Sequence, residues 1–449
     1  MTDASPHDLL TAIADALHLD ARTGVTVTGA GALPAAFRVT DLAVASIAAA
    51  GLAMQQFIGT DHAISVDRDL ASHWFGVSIR PIGWQLPPLW DAVAGDYATS
   101  DGWIRLHTNA PHHRAAALGV LRVIEERDAV AAAVRDWPAD ELEQAVVDAG
   151  GAAAAMRTID EWARHDQGTS VCAKPLIDHL AGETAEPAPA PPPGRPLAGI
   201  RVLDLTRVLA GPVATRLLAG WGAAVLRVDP PDRDEPGVIP EVLLGKRTAR
   251  LDLRAAADHE RFRQLLGAAD VLVHGYRADA LDRLGLGADV RAEVRPGLVD
   301  VALDAYGWTG PWRARRGFDS LVQMSCGIAD AGMRHYRRDR PTPLPVQALD
   351  HATGYLIAAA AIRGLTERRA TGRGSRQRLS LARTAELLVS AGSPLADAPP
   401  VGDDAPMADD VEHTSWGPAR RVAVPLAVPD APLRWTRPAR ALGTDDATW

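Results

Sequence analysis

The chain has 449 residues and 47% apolar side chains, enough for two or three domains with packed cores. Its formal net charge of −9 disfavours a general polyanion binder, so a phosphate-bearing ligand requires a local cluster of cations. Cys172 and Cys326 are the only cysteines and offer neither a disulfide framework nor a metal pattern, which fits a reducing cytoplasm. No apolar run reaches the ~18 residues needed to span a bilayer. The first residues, MTDASPHDLL, lack the basic and apolar regions of a signal peptide and read as a helix start capped by Ser5 or Asp3.

The periodicity predicts an amphipathic helix over 7–18 and an Ala-rich one over 41–57, capped by Thr40 or Asp41, then a strand over 63–66. Residues 96–170 read as strand 103–107, helices 111–121 and 138–148, strand 152–157 and helix 158–164. His107, His112 and His113 fit no compact zinc spacing, and consecutive histidines on a helix diverge, so no metal is expected. His107 and Asn109 follow a strand end, where they can line a cleft. Residues 181–196, rich in proline, form the clearest linker.

After the linker, Ile200–Leu205 is a buried-strand pattern, Ala210-Gly211-Pro212 a turn into a helix, and Ala224–Val228 a second strand ending at Asp229. That is one βαβ unit, hence a parallel sheet. No G-x-G-x-x-G or phosphate-loop motif is present, so a nicotinamide site is disfavoured despite Asp229. Arg207 at the helix start and the cluster Lys246, Arg247, Arg250 and Arg254 suit a phosphate, or else form a solvated charged face. Further patterns are helix 255–268, strand 270–274, helix 279–284, strand 298–303 and helix 351–365. Loops at the carboxyl ends of parallel strands place 207–211, 229–231, 274–277 and 304–307 around one crevice. Asp350, directly before the last helix, reads on its own as an N-cap.

Residues 33–71 echo residues 344–382: Leu-Pro, an acid, an Ala-rich helix, a Gly/Thr break, a short strand, a helix start. Asp41 and Asp350 occupy matching places, as in a decayed duplicate. From 396 to 449 the chain is Pro- and Asp-rich without a period, with Trp416 and Trp435 available to dock it.

Six blocks carry a resemblance: PLAGIRVLDLTRVLAGP, the VDPP after the second strand, GKRTARLDL, VLVHGYRADALDRLGLG, YGWTGPWRARRGFDSLVQ and ALDHATGYLIAAAAIRGLTERRATGRGS. In this order they resemble the family III CoA-transferases, the group that includes formyl-CoA transferase, carnitine CoA-transferase and 2-methylacyl-CoA racemase. The resemblance implies an α/β fold: a doubly wound Rossmann-like large domain over 197–395 with a smaller α+β domain. Here the small domain, 86–180, precedes the large one, and a degenerate repeat, 1–85, precedes both. The resemblance implies Asp350 as nucleophile in transfer of CoA from an acyl-CoA to a free carboxylic acid. It also implies CoA contacts from Val208, Leu209, Ala210, Leu251, Arg254, Gly275, Tyr276, Arg283, Leu284 and Arg316. Coenzyme A would be a substrate and not a resident cofactor. A homodimer, possibly interlocked, or a self-threaded pseudo-dimeric monomer is expected, with no nucleic acid or membrane partner. The sequence departs from the family at Gly317-Phe318-Asp319, where the racemase branch has Gly-His-Asp, at His274-Gly275, where many members have Glu-Asn, and in the glycine-run loop, for which Gly150-Gly151 is the nearest candidate. The alternatives are an acyl-CoA racemase, disfavoured by the missing histidine, and an inactive CoA-binding or partner subunit.

Overall fold

The computed structural model describes residues 6–20, 24–185, 190–394 and 398–449, with the side chains of Pro6 and His7 left aside. Ser5 and Asp3, read as caps of the first helix, lie outside them. The N-terminal unit runs α1 (Pro6–Leu17), β1 (Val25–Thr28), α2 (Val39–Ile58), β2 (Ile64–Asp67) and α3 (Arg68–Trp74), followed by β3 (Ile79–Pro81). Contrary to the expectation that no run is long enough, a window of α2 is long and apolar enough to cross a membrane, but 89% of that window is buried inside the molecule. It is a core helix. Its small residues allow close approach: a Cβ on Gly51 would stand 2.8 Å from the side chains of Ile64 and Leu426.

The small domain follows with β4 (Gly95–Ala98), β5 (Trp103–Leu106), α4 (Pro111–Leu121), α5 (Arg127–Val134), α6 (Ala139–Asp148), β6 (Ala153–Ala155), α7 (Ile159–Arg164) and α8 (Asp166–Cys172). Strands β4, β5 and β6 form one antiparallel sheet. Pro111 at the first position of α4 and a reciprocal Thr158–Glu161 capping box on α7 fix those two helix starts. Trp162 of α7 and Val171 of α8 pack into the core of the large domain, so the small domain's own core ends at β6, short of the expected residue 180. Next comes β7 (Asp178–Thr184), which pairs antiparallel with a strand of the large sheet. The first residues of the expected linker, Ala181–Thr184, are therefore strand, because a sheet edge supplies the partners that local sequence lacks.

The large domain contains β8 (Arg201–Leu205), α9 (Ala210–Gly220), β9 (Ala224–Asp229), α10 (Ile239–Val242), β10 (Arg247–Arg250), α11 (Ala256–Gly267), β11 (Val271–His274), α12 (Ala280–Arg283), α13 (Ala288–Val294), β12 (Val299–Asp304), α14 (Asp319–Ser325), α15 (Ile328–His335), α16 (Ala348–Thr371), β13 (Arg373–Ser380) and α17 (Leu381–Ser390). Its sheet has the order β10-β9-β8-β11-β12-β13-β7, parallel except for β7. Alternate residues serve the two faces. Val202, Val271 and Val299 pack into the core shared with α9, α16 and α2, while Leu203, Leu226 and Leu272 pack against α11. The strand order reverses between β8 and β11, so the crevice of this doubly wound sheet opens there, at the carboxyl ends of the strands.

The residues after 398 were expected to be extended and aperiodic. They form β14 (Glu412–Thr414), β15 (Gly417–Arg421) and β16 (Leu426–Ala427). β15 pairs with β3, and β16 completes a three-stranded sheet with β2 and β1. Trp435 stacks on Trp74 at 5.9 Å and donates its indole N–H to the Arg216 carbonyl, while Trp416 stacks on Trp84. These strands are short because their neighbours, not their own pattern, define them.

Candidate active site

Crossover helices run antiparallel to the strands they connect, so α9 and α16 both begin at the carboxyl edge of the sheet. They touch there: a Cβ on Gly354 would stand 2.5 Å from the Ala210 carbonyl oxygen. Asp350 lies one turn before Gly354 and on the same face of α16, which turns it toward the β8–α9 turn. Sequence reasoning placed Asp350 just before the helix, as a possible cap. Instead it is the third residue of α16, whose first turn opens from an inverse γ-turn at Gln347 (φ −74°, ψ 63°) with no side-chain cap.

A residue outside the predicted site fills the capping role. Asp319, first residue of α14, accepts the backbone N–H of Leu349 at 2.8 Å and of Asp350 at 3.0 Å through one oxygen. Its other oxygen accepts from the Gln323 amide, whose own oxygen takes the Leu344 N–H at 2.7 Å. The Ala348 and His351 N–H groups bond to Val346 and Gln347 carbonyls. All four first-turn donors of α16 are thus engaged and are not available to the Asp350 carboxylate.

Asp350 is buried, and its carboxylate accepts no hydrogen bond and pairs with no cation among the described residues. Burial, and then the Asp319 charge, raise its pKa well above the usual carboxylate range. Burial likewise pushes Asp319 up to about 6, against the hydrogen bonds that favour its anion. Burial and the neighbouring charge make each carboxyl group hold its proton more readily than it would in water.

The β8–α9 turn is built under tension. Val208 has φ +61°, rare for a β-branched residue. Its N–H is held at 2.9 Å by Glu235, which also meets Arg227 at 3.1 Å; Arg227 in turn grips Asp229 through two bonds. Asp229, the position a ribose-binding acid would take, is therefore committed to Arg227. Below the turn Asp204 accepts the Thr206 N–H, both threonine hydroxyls at 206 and 215, and the Lys246 ammonium at 3.1 Å. Leu209 and Ala210 are buried and lead into α9.

The basic cluster expected to meet a phosphate is otherwise occupied. Lys246 is buried on Asp204, Arg247 meets Asp445 and the Thr448 carbonyl, and Arg250 bonds the carbonyls of Pro230, Pro231 and Arg233. Each finds a partner distant in sequence. Arg254 and Arg283 are exposed in local pairs with Asp252 and Asp279. Leu251 is buried, Gly275 exposed, and Tyr276 and Leu284 half-buried.

A different set of cations gathers at the crevice. Arg207 reaches across the switch point to the Tyr276 hydroxyl at 3.0 Å and lies over its ring. Arg207, Arg233, Arg277 and Arg316 form no ion pair with an acidic side chain among the described residues. They influence one another: burial and then the charges of Arg277 and Arg233 lower the Arg316 pKa, and burial and then Arg207 lower that of Arg233. The charges of Arg233, Arg316 and Arg207 also reach His112. Sequence reasoning named Arg316 and Arg207 but passed over Arg233 and Arg277, whose convergence only the sheet order reveals.

The small domain covers this region. Its His112 and His113 rings lie 4.1 Å apart, so they meet where divergence was expected; the first turn of α4 lets both lean toward the arginines. His107 is buried and stacked flat on Phe318 at 3.7 Å, and burial lowers its pKa to about 3. Phe318 directly precedes Asp319, so the stack braces the residue that caps α16. Asn109 instead holds the Leu89 carbonyl and the Asp91 N–H. Gly150 and Gly151 end α6 in a turn beside Arg316. His274 is buried against Asp300, which Arg291 also pairs. Among the described residues no group of three metal-binding side chains converges.

A parallel sheet with its crevice at β8/β11, an uncompensated carboxylate at one helix start and arginines without acidic partners beside another make a candidate ligand site of an α/β protein. The family model described as CoA-transferase family III matches residues 197–424, and the chain belongs to that family. An acetyl-coenzyme A transferase of Hypoxylon pulicicidum is 36% identical over 195 residues, covering 42% of this chain and 33% of that protein. An acyl-CoA transferase of Gibberella moniliformis is 30% identical over 308 residues, covering 63% and 54%. The crystal structure of Rv3272 from M. tuberculosis aligns with a TM-score of 0.41 at 30% identity, over 44% of this chain and 58% of that one. The chain spans about half the length, or less, of the curated relatives it matches.

Proposed function

We propose that this chain moves CoA between an acyl-CoA thioester and a free carboxylic acid, with Asp350 as the nucleophile. The observation that carries the reading is a buried carboxylate without a counter-ion, facing the β8–α9 turn at the ligand edge of the sheet. Ionised Asp350 attacks the thioester carbonyl, forming an acyl-aspartyl anhydride and expelling CoA thiolate. The thiolate attacks the aspartyl carbonyl, giving an aspartyl-CoA thioester and the donor acid. The acceptor carboxylate then attacks that thioester, forming a second anhydride and thiolate. Attack of the thiolate on the acceptor's acyl carbon yields the new acyl-CoA and frees Asp350.

Val208, Leu209 and Ala210 would flank the pantetheine, with Leu251, Gly275, Tyr276 and Leu284 walling the nucleotide. Arg316, with Arg207, Arg233 and Arg277, would meet the phosphates, where unpaired guanidinium groups give charge-assisted bonds. Arg254 and Arg283 would join them by leaving Asp252 and Asp279. With the first turn of α16 engaged by Asp319, the head of α9 is the remaining source of backbone donors for an oxyanion. Phe318 in place of a histidine removes the second base that α-proton exchange needs, which favours transfer over racemisation. The two fungal relatives are named as acetyl- and acyl-CoA transferases, which agrees with this class.

The test is mass spectrometry after incubation with acetyl-CoA or succinyl-CoA and hydroxylamine. A hydroxamate on Asp350 is expected. Turnover that persists in Asp350→Asn would overturn the reading.

A further inference from the structure

The start of α2 reproduces the start of α16. Both helices open from an inverse γ-turn, at Arg38 with φ −76° and ψ 55° and at Gln347 with φ −74° and ψ 63°. Both carry aspartate as the third residue, Asp41 and Asp350. Each helix leads to a strand parallel to an earlier one, β2 on β1 and β13 on β12. Each strand takes an antiparallel neighbour, β16 and β7, and runs into a helix capped by a side chain, Asp67 on α3 and Ser380 on α17.

The surroundings of the two carboxylates differ in three ways. Asp41 is clamped by Arg38, at 2.6 Å, and by Arg68, which bonds its other oxygen. The matching residues beside Asp350 are Gln347 and Leu381, neither of them charged. The ligand edge of the N-terminal sheet is also covered. Ala32 donates to the Pro399 carbonyl at 2.8 Å and Val401 donates back to Ala32 at 3.0 Å, so tightly that a Cβ on Gly31 would lie 2.8 Å from the Val401 Cα. Finally, the recess of about 180 Å³ left there is lined by His73 and by Asp67, Asp69 and Asp404, whose carboxylates repel an anionic ligand, whereas the crevice near Asp350 gathers arginines.

We propose that the start of α2 is a second nucleophile position converted into a structural ion triad and closed by the chain's own 398–406 segment, leaving one covalent site per chain. The one-site clause rests on the transferase reading of Asp350; the triad does not. A buried ion triad stripped of its anion leaves two unpaired guanidinium groups, a large penalty. A buried carboxylate without a partner is itself a penalty, relieved by an amide.

The experiment compares thermal melting of the full chain with Asp41→Asn, Asp350→Asn and the triple variant R38Q/D41N/R68L. Asp41→Asn should lower Tm by about 5 °C or more. The triple variant should recover at least half of that loss, and Asp350→Asn should melt at or above the parent. If Asp41→Asn does not fold, folding of the triple variant alone supports the triad, and failure of both overturns it. An Asp41→Asn protein that melts like the parent overturns it too. The hydroxylamine experiment reads the second clause: label on the Asp350 peptide alone supports it, and label on the Asp41 peptide overturns it. Absence of label on both peptides would sink the transferase reading while the melting comparison still decides the triad.

Discussion

Two helices in this molecule start alike and end up with opposite electrostatics. At α2 the aspartate sits between two arginines under a strap of chain. At α16 it sits beside a second carboxylate, facing the crevice. The fold supplies the same backbone stage in both places, so the stage alone does not set the charge environment of the carboxylate. What differs is three side chains and one covering segment. A paired carboxylate stabilises the protein; an unpaired one is costly and therefore available for chemistry.

The comparison breaks most cleanly at Asp350 itself. Asp350→Asn should reduce transfer by roughly 10⁴-fold or more in an acyl-CoA exchange assay, because no other carboxylate can take over the covalent step. Copying the α2 arginines onto α16, as Q347R/L381R, should cost about 10²-fold in kcat if Asp350 is the nucleophile, since cations would hold it away from its attack geometry. Retention of full activity in that double variant would mean that the arginines at α2 are not what distinguishes the two helices. Smaller effects follow from the neighbours. Arg316→Gln should raise KM for acyl-CoA about tenfold with little change in kcat, and the effect should shrink at high salt. Burial and then the Asp319 charge raise the Asp350 pKa; Asp319→Asn removes the second cause, so the acid limb of the pH–rate profile should move to lower pH.

The smallest effect concerns stability. Folded Asp319 holds its proton to about pH 6, and Asp350 also titrates above its ordinary value. The unfolded chain releases both near pH 4. Between those limits the folded state binds more protons, so stability from this pair is present at low pH and lost as pH rises through about 6. The Tm advantage of Asp350→Asn should therefore be larger at pH 7 than at pH 4, by a few degrees at most.

Much of this was legible in the sequence where the signal was local. The βαβ unit and the two Ala-rich helices follow from patterns within about 30 residues. Asp319 was not legible as a partner of α16, because its bonds go to Leu349 and Asp350 across 30 and 31 positions. The same distance problem misassigned Lys246, whose partner Asp204 lies 42 residues earlier. β10, with the polar sequence Arg-Thr-Ala-Arg, shows no strand alternation and is ordered by β9 beside it. Arg233 and Arg277 look like ordinary loop cations until the strand order brings their loops together.

One further consequence concerns β16. It is the third strand of the sheet that contains β1 and β2, yet it lies at Leu426–Ala427, and β15 likewise completes the sheet of β3. During synthesis everything between β3 and β16 must be made before those sheets can close. Until then β2 presents an unpaired edge, the kind of surface on which nascent chains aggregate. The segment that carries β1, β2 and β3 should thus be the part of this protein that depends most on holdase chaperones, and pausing of translation before residue 426 should trap it open.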